Sequence, residues 1–169
     1  MDQTELRELQ APLKDRYSEE PEAALVTLSA SARLDDGISC SVETGRAIAT
    51  AGLHPASGGD GSLLCSGDML LEALAACAGV TLRAVATSIG VAVGGGTVSA
   101  SGVLDFRGTL AVDRDAPVGF RRIELGFDLE TDADAEQLAT LLKLTERYCV
   151  VLQTITGGVE IESRIEAAA

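Results

Sequence analysis

Cys65-Ser-Gly-Asp-Met-Leu-Leu-Glu-Ala-Leu-Ala-Ala-Cys77-Ala-Gly-Val-Thr-Leu-Arg83 is the stretch from which the rest of the chain is read. Ser66 is a natural N-cap, and Asp68 sets a carboxylate in the first turn, against the positive end of a helix. Good helix formers continue to about Ile89, where Gly90 offers a C-terminal stop. From Met69 to Leu82 nearly every residue is apolar or small on all faces, the pattern of an enclosed helix. Glu72 and Arg83 interrupt the run and leave it short of the roughly 20 apolar residues a membrane span needs. The expectation is a central helix wrapped on several sides by its own soluble fold, with the Cys77 thiol set in aliphatic packing.

On the N-terminal side, residues 1–22 are charged and amphipathic, with Leu6, Leu9 and Leu13 at helical spacing and Pro12 and Pro21 limiting any helix. They read as an appendage to a domain over residues 23–169. From Leu25 the pattern alternates through Val26, Leu28, Ala30 and Ala32, which marks a half-buried strand. Asp35-Asp36-Gly37 turns into a second strand with Ile38, Cys40 and Val42 on one face, and Thr44-Gly45 turns into a third, about Arg46 to Ala51. The glycine-rich run His54 to Ser62 lacks the lysine and spacing of a phosphate-binding loop and reads as a connection.

On the C-terminal side, Gly94-Gly95-Gly96 opens a strand over Thr97–Arg107 with Val98, Ala100, Gly102, Leu104 and Phe106 on one face, and residues 108–118 form a loop. A strand follows with Ile123, Leu125, Phe127 and Leu129 inward. Thr131-Asp-Ala-Asp134 has the form of a capping box and starts a second helix, on which Leu138, Leu142 and Cys149 share one side. Gly157-Gly158 ends it, and Val159, Ile161, Ser163 and Ile165 alternate as a last strand. The order β-β-β-α-β-β-α-β is that of an α+β domain with largely antiparallel sheet around long central helices.

The totals limit what such a domain does. At 169 residues it is large enough for one sizeable core, and with no Trp, three Phe and two Tyr that core is aliphatic. A net charge of −13 argues against nucleic acid and anionic membrane surfaces, which reward basic proteins. The polar N-terminus has no signal-peptide character. Four cysteines then suit a reducing cytoplasm, and a single His makes a His-rich metal site unpromising.

Cys77 and Cys149 each fall on an apolar face of an expected helix. Buried free Cys is common as a small hydrophobe, so packing alone accounts for both. The functional alternative is a thiol pair: one thiolate attacks a peroxide and becomes a sulfenic acid, and the second condenses with it to a disulfide. That reading calls for a nearby cation to hold the thiolate against burial.

The run Ser66-Gly-Asp-Met-Leu-Leu-Glu-Ala-Leu-Ala-Ala-Cys77 resembles the Pro-x-Glu-Leu-Leu-Leu-Ala-Ala-Leu-x-x-Cys helix of the OsmC/Ohr family of thiol peroxidases. Arg147-Tyr-Cys149-Val-Val-Leu-Gln-Thr-Ile155 is similar to that family's second-cysteine segment, Tyr-Cys-Pro-Val-x-x-Thr-Leu, and Gly58-Gly59-Asp60-Gly61 sits where the family carries a Gly-Gly loop. The resemblance covers about residues 25–166. It implies an OsmC-like fold in an intertwined homodimer with sites at the subunit interface, peroxidatic Cys77 and resolving Cys149. It also implies a hydroperoxide substrate, an external dithiol reductant, and neither a metal nor an organic cofactor. The family's arginine at the end of the first strand matches Arg33, with Arg46 as runner-up, and its acidic residue before the cysteine helix matches Asp68. Glu72, five residues before Cys77, lies on nearly the opposite face.

This sequence departs from the family pattern at three places: Ser66 and Val150 stand where the family has Pro, and Asp68 is shorter than Glu. Cys40 and Cys65 match neither motif and read as packing residues. The competing reading is a module that keeps the fold, lacks peroxidase chemistry and binds a small apolar ligand near Cys77.

Overall fold

In the computed structural model the described residues are 2–5, 8, 11, 19, 31–34, 39–43, 48–111 and 113–166. Three short strands, β1 (Ser31–Leu34), β2 (Ser39–Glu43) and β3 (Ile48–Gly52), form an antiparallel meander, with Arg33 opposite Ser41 and Cys40 opposite Ala51. The alternation expected from Leu25 to Ala30 lies outside the described residues. A two-residue strand, β4 (Leu64–Cys65), adds to β3 in parallel. Two residues are too few to show alternation, so the sequence does not announce it.

Between β3 and β4 the glycine-rich run folds on itself. Pro55–Ser57 make a 3-10 turn, His54 Nδ1 accepts from the Ala56 N–H, and the Asp60 carboxylate accepts from both the N–H and the hydroxyl of Ser62. A Cβ on Gly59 would stand 1.8 Å from the Leu53 carbonyl oxygen, which explains a glycine there. These bonds make the run a self-contained connection.

Helix α1 (Ser66–Ile89) is 24 residues long and ends on Gly90, whose φ of +74° suits a residue without a Cβ. Its N-cap is Cys65, not Ser66: Ser66 is already helical, and Cys65 has the extended backbone of a cap but makes no side-chain capping bond. By length and composition α1 would reach across a bilayer, contrary to the expectation from Glu72 and Arg83. Of its three charges Asp68 lies in the first turn, and Glu72 and Arg83 leave the remaining run apolar on average. Nor is it wrapped all round in the single chain. Leu74, Ala78, Leu82, Val85 and Ala86 are buried, whereas Val80 on the opposite face is exposed, as are Leu70 and Ile89 toward the two ends of the helix.

The buried face meets a two-stranded antiparallel sheet, β5 (Gly95–Leu104) with β6 (Phe120–Glu130), and helices α3 (Ala135–Tyr148) and α4 (Val150–Gly157). As the alternation requires, Ile123, Leu125, Phe127 and Leu129 are among the more covered residues of β6, and Val98, Ala100 and Leu104 among those of β5, whereas Gly102, expected on the same face, is exposed. β5 stops at Leu104, short of Arg107, because Phe106–Thr109 coil into a single turn, α2, with Phe106 stacked on the His54 ring. The start of α3 is set by Asp134 and Gln137, which form a reciprocal capping box; Thr131 accepts from the Ala133 N–H and donates to the Ala92 carbonyl instead.

Residues 158–166 form no strand and are exposed, Ile165 at 98%. The alternation of Val159, Ile161, Ser163 and Ile165 is real, but a strand needs a sheet edge to pair with, and within the described residues of one chain it meets none. From the N-terminal appendage, Gln3 Nε2 donates to the Ser88 carbonyl near the end of α1.

Candidate active site

Cys77 sits midway along α1, on the face that meets the junction of α3 and α4. Cys149 is that junction. It closes α3 as C-cap, its N–H donating to the Thr145 carbonyl, and opens α4 as N-cap, its carbonyl accepting from the Gln153 N–H. The expected continuous helix therefore breaks at Cys149, which has extended backbone (φ −72°, ψ 105°). Cys149 nonetheless points inward and is 0% exposed, packed with Leu74 and Ala78; Cys77, Val151, Leu152 and Ile155 complete the cluster with residues of β5 and β6. Cys77 is half-buried, and Cys65, Cys77 and Cys149 are free thiols.

The two sulfurs lie within hydrogen-bonding reach of each other, and their surroundings push them apart in acidity. Burial raises the Cys77 thiol, but the Val151 N–H, the Cys149 thiol, the Thr81 hydroxyl and the Val150 N–H all bond its sulfur, and together they hold it below the ordinary thiol range. Burial likewise raises Cys149, and the neighbouring Cys77 sulfur raises it further, against the Leu152 and Val151 amides. Cys149 therefore stays protonated above the ordinary range. The donors at Cys77 are the first free amides of α4, where the helix presents unpaired N–H groups and the positive end of its dipole. A guanidinium is the expected source of this effect, and the side chains of Arg33 and Arg46 lie outside the described residues.

The described arginines nearest in sequence are engaged elsewhere. Arg83 donates to the Val93 and Gly94 carbonyls, and the Arg147 guanidinium lies over the Tyr148 ring. Arg33 is placed on β1, which packs on β2, while α1 packs on β4, β5, α3 and α4; the Arg33 side chain lies outside what is described, as does Arg46. Asp68 is exposed in the first turn of α1. Nine residues before Cys77 is about 13 Å along a helix axis and half a turn round it, so the two do not meet within one chain. Among the predicted site residues the fold brings Cys77 and Cys149 together and leaves Asp68 apart.

Sequence reading passed over Thr81, one turn beyond Cys77. The i, i+4 spacing of Cys77 and Thr81 was the signal that could have found it. It also passed over Thr145, one turn before Cys149, which is 1% exposed and whose Oγ1 has no hydrogen-bond partner. Among the described residues no three His, Cys, Asp or Glu side chains converge as a metal site. A cleft of about 610 Å³, lined by Gly90, Val91, Glu130, Asp132 and Gln137, lies at the far end of α1 and contains neither cysteine.

This arrangement has recognisable relatives. The chain is similar over most of its length to the OsmC-like protein of Mycoplasma pneumoniae (16% identity, 79% of this chain and 89% of that one, TM-score 0.67). It is likewise similar to the organic hydroperoxide resistance protein of Elizabethkingia anophelis (18%, 81% and 93%, TM-score 0.65). A third relative is the organic hydroperoxide resistance protein OhrB of Bacillus subtilis (20%, 81% and 96%, TM-score 0.54). At these identities the likeness is one of fold. No curated protein sequence matches the chain. The model of the OsmC-like protein family matches residues 59–164, well over half of the sequence and the whole of the two-cysteine cluster, and the chain belongs to that family.

Proposed function

We propose that the protein reduces hydroperoxides in the cytoplasm, with Cys77 as the attacking thiolate and Cys149 as the resolving thiol. The observation that carries this reading is the contrast within one cluster. A half-buried thiol held toward its anion touches a sealed thiol held toward its neutral form. The Cys77 thiolate attacks the terminal oxygen of R–O–OH, the O–O bond breaks, and the leaving alkoxide takes a proton to give ROH and Cys77 sulfenic acid. The Cys149 thiol then attacks the Cys77 sulfur, water leaves, and a disulfide forms. An external dithiol, itself oxidised to a disulfide, restores both thiols. Aliphatic neighbours favour organic hydroperoxides over hydrogen peroxide, because an alkyl group gains by leaving water. No metal or organic cofactor enters this scheme.

The working unit in this reading is a homodimer. In support, α1 exposes Leu70 and Val80, the latter at 73%, and residues 158–166 alternate like a strand with no sheet to join among the described residues. A second copy would cover the one and pair the other. It would also bring Arg33 and Asp68 to the thiol, where the arginine polarises the peroxide oxygen.

The test is a thiol count on the reduced full-length protein before and after tert-butyl hydroperoxide, on samples expected to sediment at twice 17.4 kDa. The parent should lose two thiols rapidly, Cys149→Ser one, and Cys77→Ser none faster than free cysteine does. Oxidation of the parent at the rate of free cysteine, or sedimentation as a monomer, would sink the corresponding part of the reading.

A further inference from the structure

A helix that stops leaves the carbonyls of its last turn to be satisfied by something else. At the end of α1 the backbone does this: Gly90, with φ +74°, turns its own N–H back onto the Ala86 and Thr87 carbonyls. α3 ends differently. It stops on Cys149, whose φ of −72° and ψ of 105° are extended, and the Cys149 N–H closes the Thr145 carbonyl. In an unbroken helix the next carbonyl, that of Glu146, would accept from the Val150 N–H. The extended ψ at Cys149 turns that amide off the helical course. A side chain from the following helix takes its place: Gln153 Nε2 donates to the Glu146 carbonyl at 2.9 Å. The backbone N–H of the same residue donates to the Cys149 carbonyl, also at 2.9 Å, and closes the first turn of α4.

Resting on the reading of Cys149 as the resolving thiol, we propose that Gln153 is a positioning residue, which clamps α4 to the last turn of α3 across the bend and so fixes Cys149 against Cys77. Its two bonds end on Glu146 and on Cys149, one on α3 and one at the bend, and together they set how far the chain turns there. The clamp and the thiol lie on different sides of the junction. Gln153 is exposed, whereas Cys149 is sealed in the cluster with Leu74, Ala78 and Cys77. Removing the Gln153 amide therefore opens no cavity around the thiols, and what changes is the angle of the bend. A disulfide asks for Cα atoms about 4.4–6.8 Å apart and for a narrow range of torsion, so a small change of angle alters how readily the pair closes.

The experiment holds the full-length protein in glutathione buffers of graded composition and counts the linked Cys77–Cys149 peptide by mass spectrometry. Oxidised glutathione takes two electrons and two protons from the pair and becomes two reduced molecules, so no peroxide is involved. Gln153→Met, close in shape but without a donor, should need a ratio of oxidised to reduced glutathione about fivefold higher for half-closure. Gln153→Glu also lacks the donor, should shift in the same direction, and carries the test should Gln153→Met fail to fold. Gln153→Lys keeps an N–H at similar reach and should restore the parent ratio. A residue that only stabilises the fold would lower the unfolding midpoints of the dithiol and disulfide forms alike and leave this ratio where it was. A ratio within about twofold of the parent for either donorless variant, the span of ordinary surface substitutions, overturns the proposal. So does a Gln153→Lys ratio as displaced as that of Gln153→Met. A parent that forms no Cys77–Cys149 linkage at any ratio would overturn the clamp and the thiol-pair reading together. Displaced ratios in a protein that consumes no peroxide would uphold the clamp and remove the proposed function instead.

Discussion

Two helices in this protein begin at a cysteine. Cys65 opens α1 and Cys149 opens α4; both have extended backbone, and neither makes a side-chain capping bond. Locally they are the same device, a thiol beside the unpaired amides of a helix start. Their settings differ completely. The start of α1 is exposed at Ser66 and Asp68, and its dipole is met by the Asp68 carboxylate. The start of α4 is driven into the middle of α1, where Leu74 and Ala78 close over Cys149 and the first amides find the Cys77 sulfur. What a helix N-terminus does to a thiol depends on what is packed against it and whether water or a carboxylate reaches it first.

Leu74 does most to maintain that difference, and removing it should have the largest effect. Leu74→Ala deletes a fully buried side chain from the cluster around Cys149 and should cost about 2–5 kcal/mol of stability by denaturant unfolding. Under native conditions the same variant should let Cys149 be alkylated, erasing the contrast with the open helix start. A stability loss below about 1 kcal/mol with Cys149 still unreactive would mean that the seal lies elsewhere.

A smaller effect of opposite sign is expected at Thr145. Its buried hydroxyl has no partner one turn before Cys149, so the site bears the cost of desolvating a polar group. Thr145→Val keeps the shape, removes the hydroxyl and should stabilise the fold by about 1 kcal/mol in the same unfolding assay. Destabilisation would show that the hydroxyl finds a partner in solution. The least effect belongs to the open helix start: Cys65→Ser should change stability by about 0.5 kcal/mol or less and leave the two-thiol loss to hydroperoxide intact. If that loss fell to one thiol, Cys65 would have to be a redox partner and the two helix starts would be chemically alike after all.

The expectations from sequence succeeded and failed along a physical line. Periodicity found α1, the inward faces of β5 and β6, and the inward position of Cys149, because a repeat of apolar residues states which face avoids water. It misplaced both helix starts. Ser66 and Thr131 are good caps by residue type, but the backbone leaves its extended course at Cys65 and Asp134, where strand pairing and the Gln137 side chain fix it. It also gave residues 159–165 a strand, since alternation reports a preference for a sheet and carries no information about whether an edge is within reach.

The sequence by itself determined the long helix α1, the strands β5 and β6, the α+β class and the inward faces on which Cys77 and Cys149 lie, since short-range pattern and residue chemistry are properties of neighbours along the chain. Tertiary structure alone decided that the chain bends at Cys149 and packs the start of α4 against Cys77. A thiol's acidity follows from donors and solvent within a few ångströms, and those donors come from segments far apart in sequence that only packing brings together.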